Sequence, residues 1–190
     1  MFDWPTVTSA RLGGISRGVA FILPFCMHLA VADSILPPLL EGAKELSPVY
    51  TSWVKACRPA DDATTREVCF TFKNGRIAGE PVVAVVLIER AGEAKKTLRV
   101  TLPLGMDLQK RTWIMVDRGQ QRNAPYFFCV GDGCVADYDA DFELISELTN
   151  GQGLMVQAVI SGGPEIRFVL PLFDFKKAYE GSPSDPKLFE

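Results

Sequence analysis

Histidine is almost absent from this chain, whose 190 residues include only one, His28. Most acyl-transfer and metal chemistry leans on imidazole as base or ligand, so a near-absence of histidine already narrows the enzyme classes open to the protein. A basic excess is missing too. Twenty Lys plus Arg face 23 Asp plus Glu, a net charge of -3, which argues against general nucleic-acid binding because phosphate recognition works by counterion release to a cationic surface. No Cys-x-x-Cys pair suggests a redox motif, and the glycines of Gly151-Gln152-Gly153 and Ser161-Gly162-Gly163-Pro164 lack phosphate-loop spacing and read as turns. Long apolar runs are lacking as well. The longest, Gly18 to Ala32, spans 15 residues and contains Pro24 and His28, whereas a membrane-crossing helix wants about 20.

What the first 32 residues do contain is the layout of a secretory signal. Arg11 and Arg17 precede the apolar run, and Ala30-Val31-Ala32 places small residues where a signal peptidase cuts, just before Asp33. Phe25 is too bulky to precede a lipid-modified Cys26. Cleavage after Ala32 removes His28 and Cys26 together, leaving a mature chain with no histidine and four cysteines: Cys57, Cys69, Cys129 and Cys134. An even number of cysteines behind an export signal reads as two disulfides. Residues 33–48, ILPPLLEGAKELSP with its flanks, form a proline-containing spacer. The domain is expected over 49–180, with a loose tail at 181–190.

Inside 49–180, short apolar or alternating runs recur between turn signals. Tyr50 to Cys57, Glu67 to Phe72, Pro81 to Glu89, Leu98 to Leu104, Trp113 to Val116, Pro125 to Cys129, Cys134 to Tyr138, Leu154 to Ile160 and Ile166 to Leu172 read as strands. Asn74-Gly75 is the turn expected after the second, because that dipeptide favours positive φ. Pro81 to Glu89 is apolar on both parities, as a strand between two covered faces would be. Asp141 to Leu148 reads as a short helix with Phe142, Ile145 and Leu148 on its apolar side, and Phe173 to Tyr179 as a second. The fold class expected is an all-β, immunoglobulin-like sandwich with one or two short helices, stapled by disulfides.

The motifs around the cysteines resemble a known family. Trp53-Val54-Lys55-Ala56-Cys57 is followed by Cys69, by Leu102-Pro103-Leu104-Gly105, and by the stretch from Pro125 to Ala136, PYFFCVGDGCVA. Leu170-Pro171-Leu172-Phe173 and Lys177-Ala178-Tyr179 close the set. In this order they are similar to the invasion-associated locus B family of secreted bacterial proteins. The resemblance spans roughly Tyr50 to Tyr179. It implies a compact exported β-sandwich, linked by family name to host-cell entry, with no catalytic residues to carry over.

Four cysteines allow three connectivities, of which spacing favours one. Cys129 and Cys134 flank Val-Gly-Asp-Gly, the span of a cross-linked hairpin, and Cys57 and Cys69 lie on successive strands, so pairing within each hairpin is expected. Asp137-Tyr138-Asp139-Ala140-Asp141 begins like a calcium loop but has Phe142 where glycine and Leu148 where a bidentate glutamate are needed; the reading is a solvated strand edge plus a helix cap, with no metal or cofactor. Lys110, Arg111, Arg118 and Arg122 form a local basic surplus that could meet an anionic partner, such as lipopolysaccharide, a sialylated glycan or an acidic protein. Tyr126, Phe127 and Phe128 must point to both faces of their strand, and an exposed member would mark a protein interface. The function expected is therefore binding, without catalysis, by a periplasmic or secreted protein that contacts a protein, glycan or lipid of the envelope or host surface. Two alternatives are a small carboxylate-based glycan hydrolase and an envelope assembly or chaperone-like factor using a strand edge.

Overall fold

The computed structural model describes residues 47–60, 66–131 and 133–184. The expected leader, the spacer up to residue 46 and the tail from 185 lie outside the described residues. Among the described residues eleven strands and two helices follow in order: β1 Val49–Tyr50, β2 Val54–Arg58, β3 Val68–Ile77, β4 Glu80–Arg90, β5 Lys96–Leu102, β6 Thr112–Val116, β7 Arg122–Ala124, β8 Tyr126–Val130, β9 Gly133–Ala140, α1 Phe142–Asn150, β10 Gly153–Val159, β11 Glu165–Pro171 and α2 Phe175–Glu180.

Among the described residues every strand pairing is antiparallel. The large sheet runs β1-β3-β4-β5-β9-β8, with β2 also on β3, and the small sheet runs β11-β10-β6-β7. Period-two alternation explains why they face each other. Val83, Val85 and Leu87 of β4 and Leu98, Val100 and Leu102 of β5 meet Ile114 and Val116 of β6, Leu154 and Val156 of β10, and Leu170 of β11 in one core. The chain passes between sheets at Pro125, from the edge strand β7 to the edge strand β8. Both disulfides staple neighbouring strands within the large sheet, Cys57 to Cys69 and Cys129 to Cys134, in register with the ladder. Neither bridges the two sheets, as the antibody disulfide does.

Four local expectations need correction. Asn74-Gly75 is not a turn but lies within β3, where a Cβ on Gly75 would come 2.7 Å from the Tyr50 ring and 2.8 Å from Val83. The glycine is there for close approach, and the hairpin turn falls at Ala78-Gly79, with φ of 51° and 90°. The run of Leu98 to Leu104 stops at Leu102, leaving Leu104 exposed. Phe142 is 89% exposed at the first position of α1, whose buried residues are Leu144 and Leu148, one helical turn apart. The fourth concerns Tyr50 to Cys57, which is two strands, β1 and β2, interrupted at 51–53. Strand β7, Arg-Asn-Ala, has no apolar alternation to betray it. The Asp141 cap is as expected, its carboxylate accepting the Leu144 N–H at 2.8 Å.

Candidate interaction surfaces

Three inward-facing lysines hold α2 against one end of the large sheet. Lys73 on β3 is 1% exposed; its ammonium lies 3.2 Å from Asp174 and within 5.6 Å of the Trp53 ring centroid and 5.2 Å of the Phe173 centroid. Lys55 on β2 donates to the Tyr179 carbonyl at 2.8 Å, and Lys96 on β5 pairs with Glu89 at 2.8 Å and with the Tyr179 hydroxyl. Burial works against the charge on Lys96, but Glu89 and Tyr179 outweigh it and its pKa is raised. Trp53 packs edge-on against Phe175 at 4.9 Å and donates its indole N–H to the Pro171 carbonyl. Sequence reasoning missed this cluster. Its one signal was a lysine at the inward parity of β3, two residues after Thr71.

The basic residues do not converge. Lys110 and Arg111 precede β6 and Arg118 follows it, so at about 3.3 Å per residue they stand roughly 15–20 Å apart along the hairpin. Arg122 leaves the set for a second reason: it lies on β7 with its side chain 12% exposed, and α1 holds it through Glu147 and, at 3.9 Å, Glu143. Arg111 donates to Asn123 at 3.2 Å. Lys110 and Arg118 remain exposed.

The aromatic run separates as its strand dictates. Strand β8 is the outer edge of the large sheet, with a register shift between Tyr126 and Phe128. Tyr126 turns inward, where burial first and the Asp107 carboxylate second push its phenol up to about 12. Phe127, at the irregularity, is 71% exposed, and Phe128 and Val130 are exposed beside it. The Phe127 and Phe128 rings meet edge-on at 5.4 Å, and Arg99 lies over Phe128.

The acidic stretch is spent on structure. Asp137 makes two 2.7 Å bonds to Arg99, Asp139 pairs with Lys95 at 2.8 Å, and Asp141 caps α1, although all three line a cleft of about 420 Å³ beside Arg122 and Tyr138. Among the described residues the metal-sized donor group is Cys57, Glu67 and Cys69, whose sulfurs are already joined to each other.

These features define a class: a disulfide-stapled all-β sandwich, closed at one end by a short helix, with most of its buried or half-buried charges paired internally. The family model of the invasion associated locus B (IalB) protein matches residues 53–183, and the chain belongs to that family. Two proteins called invasion protein B homologues, from Brucella abortus strain 2308 and from Brucella abortus biovar 1 strain 9-941, are each 26% identical over 164 residues, covering 86% of this chain and 92% of the relative. The crystal structure of invasion associated protein b from Bartonella henselae superposes with a TM-score of 0.60 at 23% identity. That match covers 69% of this chain and 90% of the other, and it supports the fold.

Proposed function

We propose that this IalB-family chain is an exported binding protein of the bacterial envelope that acts by surface recognition and not by catalysis. The observation that carries this reading is the β8 edge, where Phe127, Phe128 and Val130 stand exposed side by side on the outermost strand of the large sheet. Two disulfides fit a chain that leaves the reducing cytoplasm, and no helix among the described residues is long and apolar enough to cross a membrane. The described residues hold no histidine, and the acidic cleft offers no unpaired carboxylate couple for glycoside hydrolysis. The irregularity at Phe127 interrupts the edge ladder, which favours a partner gripped by side chains over one added as a further strand. Lys110, Arg111 and Arg118 would act as separate long-range charges that speed encounter with an anionic partner surface.

A photo-crosslinking residue placed at Phe127 in intact cells tests the reading. A discrete protein adduct in the envelope fraction, lost when Phe128→Ser is added, is the expected result. Retention of the protein in the cytoplasm, or no adduct at any β8 position, would reject it.

A further inference from the structure

The edge of the sheet opposite β8 carries a second surface of different chemistry. Between β2, the start of α2 and residues 182–184 lies a cleft of about 430 Å³, within the usual size of small-molecule sites. The residues that line it include Lys55, Lys177, Asp174, three serines, Ser52, Ser182 and Ser184, and Phe173. We infer that this cleft binds an acidic sugar, a pyranose carrying a carboxylate.

Charge comes first. Asp174 would cancel one cation, but its carboxylate is held by the buried Lys73 at 3.2 Å and by the Trp53 N–H at 3.0 Å, so its charge is balanced from beneath. Lys55 and Lys177 are then left without an uncommitted carboxylate among the lining residues, in a chain whose net charge is negative. Lys177 is exposed and joins no ion pair among the described residues. Lys55 gives one of its three donors to the Tyr179 carbonyl and lies 5.8 Å from the Tyr179 ring centroid, with no carboxylate partner among the described residues. An anion is the ligand these two ammonium groups favour.

Hydroxyl chemistry and shape narrow the class. A bare anion needs neither the three serines nor a flat apolar wall, whereas a sugar uses both. Asp174, fixed from two sides, retains lone pairs to accept from ligand hydroxyls. Phe173 is 82% exposed, and a ring face is electron-rich, suited to the C–H side of a pyranose. The apolar groove on the outer face of the large sheet, lined by Val86, Ile88 and Arg99 among others, lacks this combination, since its guanidinium is already doubly bonded to Asp137.

This inference rests on the binding-protein reading but uses another surface, so the two fail separately. Purified protein would be titrated with N-acetylneuraminic acid, 3-deoxy-octulosonic acid and glucuronic acid, with glucose and acetate as controls, following backbone amide shifts and Trp53 fluorescence. Saturable shifts at Ser52–Lys55 and Phe173–Ser184 are expected for acid sugars and not for glucose or acetate. Preference between the first two probes separates a host-type from a bacterial source. Lys177→Ala should weaken binding about tenfold or more, the usual share of a charge-assisted hydrogen bond, with thermal unfolding unchanged, and Phe173→Ala should weaken binding also. Equal binding of glucose, acetate binding as tightly as the acid sugars, no saturable shift, or full affinity in both variants would each overturn the assignment. Adducts formed at Phe127 should be indifferent to Lys177→Ala.

Discussion

Lys73 Nζ stands 3.2 Å from Asp174 Oδ1, joining β3 to the start of α2 across 101 positions of sequence. The lysine is 1% exposed and the aspartate 19%, so each depends on the other to keep its charge out of water. Through Trp53, whose backbone N–H binds the second oxygen of the same carboxylate, the pair also sets where β2 begins.

Removing one member should be costly. Asp174→Ala leaves a buried ammonium without a counter-charge and should lower unfolding stability by about 3 kcal/mol, read by urea denaturation. The double variant Lys73→Met with Asp174→Asn should lose clearly less than Asp174→Ala. A loss no smaller in the double variant would show that packing around the pair, and not its charge, holds α2 down.

The disulfides should contribute unequally. For separations of 12 and 5 residues, loop closure predicts about 3 kcal/mol for Cys57–Cys69 and about 2 kcal/mol for Cys129–Cys134. Paired serine substitutions followed by thermal unfolding measure each, and non-reducing peptide mapping checks the pairing. A Cys57 peptide linked to Cys129 or Cys134 would contradict the two-hairpin arrangement.

Gly133 closes the second hairpin with φ of 140°, and a Cβ there would lie 2.3 Å from the Leu102 carbonyl oxygen. Backbone cannot swing aside as a side-chain tip can. Gly133→Ala should therefore cost on the order of 1–3 kcal/mol, seen as a lower melting temperature, whereas Gly131→Ala, with nothing within 4 Å, should be near neutral.

Alkaline pH should destabilise the domain through its phenols. Tyr126 is pushed up to about 12 by burial and by Asp107, and Tyr138 is raised further by burial, with Thr112 bonded to its hydroxyl opposing the shift. Both folded values exceed the unfolded value near 10, so the folded state holds protons that the unfolded state has released. Stability is complete below pH 10 and falls as pH rises from there through 12. Tyrosinate absorbance should show these two groups titrating late, and Tyr126→Phe should flatten the fall. An unchanged slope in that variant would remove Tyr126 from the account.

Much of the fold was legible because its signals are local. The alternation in Lys96 to Leu102, the apolar run of Glu80 to Arg90 and the cysteine spacings each concern neighbours in sequence, and each fixes an element or hairpin without reference to the rest. The misreadings share a cause. Asn74-Gly75 looks like a turn until Tyr50 and Val83 are seen against it, and Arg122 looks like a free cation until α1 brings Glu147 to it.

The amino-acid sequence by itself determined the strand-rich pattern, the even number of cysteines beyond the expected leader and the scarcity of histidine, because periodicity and composition are properties of short stretches. Tertiary structure alone decided which charges are spent and which remain. Lys73, Lys55 and Lys96 come from three strands to meet one helix, and Phe127 is exposed because β8 ends its sheet. Whether a charge is neutralised or a ring is covered depends on what stands within a few ångströms of it. In this protein those neighbours are often on elements 80 or more residues away.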